Sequence, residues 1–301
     1  MTASPATSTP DPYAIPKRKR RVNFSGIALR ILFWLLVIFI LIYTVFPFVW
    51  ALLAAVKPDE DIGATPTRYL PSAIDWGNLE YVFEQKNFIR ALRNSTIVSV
   101  VTVGIALLFG SFAAYAMGRM KFRGRSMVMY IILSMTMFPA IAILGSLFQM
   151  IRTANLYDTI PALILTYMTF TLPFTVWVLA NFFKAMPGEL EEAALVDGST
   201  PFQAFYKILL PLALPGLVTT GLLAFIAAWN EFLFALTFTT STYNARTVQP
   251  AIASFSGRTQ FDEPWGSIMA ASVVVTVPLV VLVLIFQRKI LAGLTAGAVK
   301  G

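Results

Sequence analysis

Glu231 is the one ionisable side chain set deep within an apolar stretch of this chain, with Trp229 and Asn230 before it and Phe232 to Leu236 after it. A carboxylate at bilayer depth costs about 2.5–3.5 kcal/mol on insertion scales, so it has to face protein or a watery cavity. Two roles fit Trp229, Asn230 and Glu231. They could line a path for a polar solute, the amide and carboxylate bonding hydroxyls while the indole stacks on an apolar face. Equally, they could hold helices together through a buried hydrogen bond worth on the order of 1 kcal/mol. Catalysis fits less well. The sequence has no Cys and no His, which removes thiolate nucleophiles, imidazole acid/base chemistry, disulfides and Cys/His metal sites together. No second carboxylate accompanies Glu231 within an apolar run, so paired-carboxylate chemistry is missing too.

A second group of residues has chemistry of another kind, that of helix ends. Pro187 and Gly188 close one helical stretch, and Glu189, Glu191 and Glu192 then place negative charge in the first turn of the next, where the helix dipole favours it. Gly198 suits the left-handed position that ends that helix. Thr200, Pro201 and Gln203 follow as N-cap, first helical residue and back-reaching partner of a capping box. The spacing predicts a short helix, a hard turn and a second helix start, all outside the membrane. Ala193 and Ala194 give the short helix a small, close-approach surface that suits docking in a groove. An ordinary solvated connector between two spans fits the same residues.

The elements that must position these groups are set by apolar length. The 301 residues are 57% hydrophobic and 13% charged, where soluble domains run at about 25% charged. Charge-free runs over 31–56, 94–118, 126–151, 159–183, 208–230 and 264–287 each meet the roughly 20 residues a helix needs to cross a bilayer core. The run from Ile31 to Val45 is apolar all round, unlike a helix in a soluble bundle. The expectation is an all-α, polytopic membrane protein with six transmembrane helices. Residues 1–26 read as a disordered basic cytoplasmic tail, 27–56 as an uncleaved first transmembrane helix, 57–89 as an external loop, 90–287 as a five-helix core holding the segment 187–211, and 288–301 as a cytoplasmic tail. With the N-terminus inside, 15 of the 23 lysines and arginines fall on the cytoplasmic side, as the positive-inside tendency requires. The net charge of +8 is spread in short clusters without a continuous basic face, which argues against nucleic-acid binding. Met137-Phe138-Pro139 and Thr171-Leu172-Pro173 are expected bends, either at a cavity or in plain packing.

Glu192-Ala193-Ala194, then Gly198 and Ile208-Leu209-Leu210-Pro211, resemble the EAA loop of binding-protein-dependent ABC importer permeases, element for element and at the same spacing. The resemblance runs from about Arg90 to Gln287. Asn94-Ser95-Thr96, Ala228-Trp229-Asn230-Glu231-Phe232 and the end Gly293 to Gly301 are similar to maltose-type and trehalose-type sugar permeases. It implies the ABC type I importer permease fold and a MalG-like subunit of a carbohydrate importer. It also implies a second permease of the MalF-like type, an ABC ATPase dimer and an extracytoplasmic solute-binding protein as partners. Glu192, Ala193, Ala194, Gly198, Ile208, Leu210 and Pro211 would couple the spans to the ATPase, and Leu294, Thr295, Gly297 and Lys300 would touch it from the C-terminus. The external stretch Ser241 to Trp265, which mixes aromatic and polar side chains, would meet the binding protein. No G-x-x-x-x-G-K-[ST] phosphate loop occurs in the chain, so ATP and Mg²⁺ belong to a partner and no cofactor is expected here.

Within that family, a glycerol-phosphate or an oligosaccharide is an alternative cargo. A secondary transporter working without ATP would need several intramembrane charges or inverted repeats, and the sequence shows neither.

Overall fold

The computed structural model describes residues 24–242, 244–255 and 264–296, and every described element is helical. Two units are distinct, Met1–Val49 and Trp50–Gly301. In the first, helix α1 (Phe24–Ala55) begins, and from Leu29 to Val49 nearly every large apolar side chain is exposed. That is the surface of a helix whose solvent is lipid. Lys17 to Arg21 lie outside the described residues.

The second unit starts outside the expected core with α2 (Asp59–Ile62) and α3 (Gly77–Glu84), two short helices where a loop is expected. Then α4 runs unbroken from Lys86 to Arg119. The expected third span, 126–151, is not one helix: α5 (Arg125–Met137) and α6 (Ala140–Thr153) meet at 94°. Pro139 is the cause, because its ring forces Phe138 into an extended conformation (φ −74°, ψ 130°) and it has no N–H to carry the helix onward. By contrast α7 (Ile160–Ala185) passes straight through Pro173, which is buried within it, so Thr171-Leu172-Pro173 does not break the helix.

The connection that follows holds α8 (Glu189–Val196), α9 (Pro201–Ala204), one turn of π-helix at Phe205–Leu209, and α10 (Leu210–Leu212). The expected fifth span, 208–230, is cut here, since α11 (Leu214–Trp229) leaves the 201–212 arm at 72°. Pro211 and Pro215 each lack the N–H that would carry an uninterrupted ladder across the joint. Ile208-Leu209-Leu210-Pro211 therefore belongs to the arm and not to the span. After α12 (Leu233–Phe238) and α13 (Val248–Ala253), α14 (Trp265–Ala296) continues past Gln287 through Leu294 and Thr295. Among the described residues four helices are long and apolar enough to span unbroken, and counting each bent pair as one span brings the number to six.

What joins α4 to α7 is a row of small residues. Ala106, Gly110, Ala114 and Gly118 recur every fourth residue along α4 and are all buried. In lipid the apolar environment is no worse than the protein interior, so helices associate by close van der Waals contact, which small side chains permit. The approach is tight at both ends: a Cβ on Gly110 would lie 2.7 Å from Thr175 Cγ2, and one on Gly118 would lie 2.9 Å from the carbonyl oxygen of Ala180. Near Gly118, Tyr115, Phe183 and Phe205 form an aromatic cluster with centroids 4.9 to 6.3 Å apart.

Candidate functional site

The 187–211 segment takes the shape its end-signals specify. Gly198 is left-handed at φ +83°, its N–H donating to Leu195 O at 3.1 Å while Ser199 N–H donates to Ala194 O at 2.9 Å. These two bonds satisfy the last carbonyls of α8 and make a Schellman end. Two residues later Thr200 and Gln203 exchange bonds as a full capping box, Thr200 N–H donating to Gln203 Oε1 at 2.8 Å and Gln203 N–H to Thr200 Oγ1 at 3.3 Å. Back-to-back termini with satisfied backbones turn the chain without help from the membrane.

Long-range bonds hold that turn in place. Glu191 takes the Tyr115 hydroxyl at 2.6 Å on one carboxylate oxygen and Arg119 Nε at 2.9 Å on the other. The remaining guanidinium nitrogens donate to Met186 O and Pro187 O at 3.0 Å each. Only 11% of the Arg119 side chain and 20% of the Glu191 side chain reach solvent, so the pair is weakly screened. Nothing in the sequence marks Glu191 as different from its acidic neighbours. It turns inward, whereas Glu189 and Glu192 stay exposed.

The outward face differs from the small-residue surface expected of it. Ala193 is exposed, but Ala194 is only 3% exposed and packs inward. Leu195 and Val196 project instead, Val196 being 86% exposed, together with Phe202 and Tyr206 on the arm beyond. Ile208 and Leu210 are half-buried, and Pro211 is exposed. Exposed aliphatic and aromatic side chains flanked by Glu189, Glu192 and Asp197 make a surface of the kind proteins cover with a partner.

Trp229, Asn230 and Glu231 do not form one wall. Trp229 is 3% exposed and stacks on Phe225 at 5.5 Å, leaving no free face for a solute. Glu231 is not within a continuous helix but in the break between α11 and α12, where its two oxygens accept from Phe234 N–H at 2.8 Å and Ala235 N–H at 3.0 Å. It satisfies orphan donors at the start of α12, and it also faces Tyr167 of α7. Only Asn230 is open, with Gln249 Nε2 3.4 Å from its side-chain oxygen.

The sequence profile described as binding-protein-dependent transport system inner membrane component matches residues 106–295, well over half of the chain. The chain belongs to that family. As an inner-membrane component of such a transport system, this permease is a transport subunit and not an enzyme. It is 45% identical to the trehalose transport system permease protein SugB of Mycobacterium tuberculosis over 86% of this chain and 93% of that one. It is 38% identical to the trehalose/maltose transport system permease protein MalG of Thermococcus litoralis over 90% and 97%. Among solved structures, a chain of a bacterial ABC transporter that imports the acidic polysaccharide alginate matches its fold with a TM-score of 0.74 at 21% identity, covering 91% of this chain and 99% of that one.

Asn94 and Ser95 tie the start of α4 to the segment that follows α12. Asn94 Nδ2 donates to Asn244 O at 2.7 Å and Arg246 O at 3.0 Å, and Val248 N–H donates to Ser95 Oγ at 2.8 Å. The start of α4 thus anchors the described part of the Ser241 to Trp265 stretch. Tyr243, Arg258, Gln260, Phe261, Asp262 and Glu263 lie outside the described residues, as do Gly297 and Lys300 at the C-terminus. The α5–α6 elbow encloses a mainly apolar cavity of about 460 Å³ whose hydroxyls come from Ser134, Ser146 and Thr169. No group of acidic, His or Cys side chains fit for a metal occurs among the described residues.

Proposed function

We propose that this permease is one half of the translocation path of an ATP-driven disaccharide importer, with trehalose or maltose as cargo. The 187–211 segment carries the reading. Its capped, bonded turn leaves Leu195 and Val196 exposed, the form a coupling element needs to sit in a cleft of an ATPase. In this reading the segment and both termini face the cytoplasm, and Ser241 to Trp265 faces outward toward a solute-binding protein. A MalF-like second permease covers apolar surface left bare by this chain, and the ATPase dimer binds ATP and Mg²⁺. Leu294, Thr295, Gly297 and Lys300 add a C-terminal ATPase contact. The disaccharide follows the similarity to trehalose and maltose permeases.

Uptake of labelled trehalose and maltose by cells lacking this gene, with and without the gene restored, tests the cargo. Loss and recovery of uptake of either sugar is the expected result. Normal uptake of both without the gene would overturn the sugar assignment, and recovery of an oligosaccharide or glycerol-phosphate instead would replace it.

A further inference from the structure

We infer that Arg119 and Tyr115 are positioning residues that clamp the docking helix α8 to the end of α4 through Glu191, so that a displacement of α8 is delivered to the α4–α7 pair first. This rests on the coupling role proposed for 187–211 and says where its motion enters the spans.

The covalent path offers a poor route. In one direction, α8 joins α7 through Met186-Pro187-Gly188; in the other, it reaches α11 only through Gly198, a π-helical turn and a 72° joint. Each is a place where backbone dihedrals absorb movement. The clamp bypasses them. The guanidinium of Arg119 is a planar fork with fixed donor directions. Three of its nitrogens are engaged at once, one by Glu191 and two by the carbonyls of Met186 and Pro187, so it grips both the helix and the linker that precedes it. Tyr115 holds the other carboxylate oxygen from one turn earlier on α4 and is itself fixed between Phe183 and Phe205. From Arg119 the route continues through Gly118, whose contact with Ala180 and Phe183 leaves no slack between α4 and α7.

The docking face is separate from the clamp, since Leu195 and Val196 are exposed and take no part in the bonds of Glu191, Tyr115 and Arg119. That separation makes the idea testable in the assembled transporter. For Arg119→Gln and Glu191→Gln, with the permease at normal abundance and the ATPase still co-purifying, sugar transported per ATP hydrolysed should fall by about tenfold, with the sugar KM unchanged. Arg119→Lys keeps the charge without the fork and should not rescue. Tyr115→Phe should lower the ratio about twofold to threefold, and adding it to Glu191→Gln should cost nothing further, as groups in one network are non-additive. An unchanged ratio in Arg119→Gln overturns the clamp, as does full activity in Arg119→Lys. If either glutamine variant falls in abundance, Tyr115→Phe decides, a normal ratio there counting against the clamp. Gly198→Val, measured alongside, separates the two ideas: normal uptake in it removes the coupling reading itself, whereas failure in it with a normal ratio in Arg119→Gln removes the clamp alone.

Discussion

Two segments outside the spans, 57–75 and 186–211, are each organised around a carboxylate with little exposure, and they are tied in opposite ways. In 57–75 the carboxylate is Asp61, which takes Arg68 Nη1 at 2.6 Å, Ser72 N–H at 2.7 Å and Ser72 Oγ at 2.6 Å. Lys57 joins the knot by donating to Arg68 O and packs over the Trp50 ring at 4.4 Å. The bonds of the Asp61 carboxylate and the Lys57 ammonium are local, reaching at most 11 residues along the chain. Glu191 is instead held by residues 72 and 76 positions away on a different helix. A locally tied segment keeps its own shape whatever its neighbours do. One tied at long range passes force to another element, as the coupling role proposed for 186–211 requires.

The largest effect expected from breaking this contrast is that of Gly198→Val. A Cβ at φ +83° is strained by roughly 1 kcal/mol, more for a branched residue, and opening the Schellman turn re-aims α8. Uptake should fall on the order of tenfold or more, with normal insertion and easier loss of the ATPase in detergent; normal uptake would make 186–211 a plain connector.

Glu192→Lys should do less. Glu192 is exposed and touches none of the clamp, so reversing its charge acts at the partner surface and on the dipole of the first turn. Co-purification of the ATPase should weaken about threefold and become more salt-sensitive, because a rim charge sets association more than stability. Equal recovery at low and high salt would count against a charged partner surface there.

Asp61→Asn should have the smallest effect on transport and a visible one on its own segment. The Ser72 hydroxyl and N–H, with Arg68 beside them, hold the Asp61 carboxyl at about 2, below its ordinary 3.8. A depressed carboxylate contributes stability that is present above the ordinary value and is lost as pH falls from about 4 toward 2. Protease nicking of 57–75 from outside should therefore rise over that acid range in the natural chain. In Asp61→Asn, nicking should be raised already at neutral pH and show no acid step, while uptake stays within about twofold, the usual range for a change remote from coupling. A large loss of uptake would mean that the outer knot also transmits.

The contrast also governs how much could be read beforehand. Local chemistry was legible: Gly198, Thr200, Pro201 and Gln203 stand where backbone donors and acceptors need them, and apolar length gives four of the six expected spans as unbroken helices. Pro139 signalled a bend, but whether a proline breaks its helix depends on the neighbours, as the unbroken passage of α7 through Pro173 shows. Glu231 was misplaced because an apolar run hides a helix break that only its carboxylate reveals. Arg119 with Glu191 had no local signature, since a pairing across 72 residues is decided by packing. The row Ala106, Gly110, Ala114, Gly118 was open to view in the sequence as small residues every four positions, and it marks the α4–α7 seam.

That seam makes α4 a lever. Its 34 residues, at about 1.5 Å each, give a rod about 50 Å long from Arg119 to Lys86. Stiffened by α7 along the way, it turns a tilt of about 5° at one end into a swing of about 4 Å at the other, by simple proportion to that length. Toward that end, about 37 Å from Arg119, Asn94 and Ser95 hold the segment near Asn244 to Val248. If the clamp transmits as proposed, a nudge at Glu191 arrives near Asn244 to Val248 as a displacement of a few ångströms.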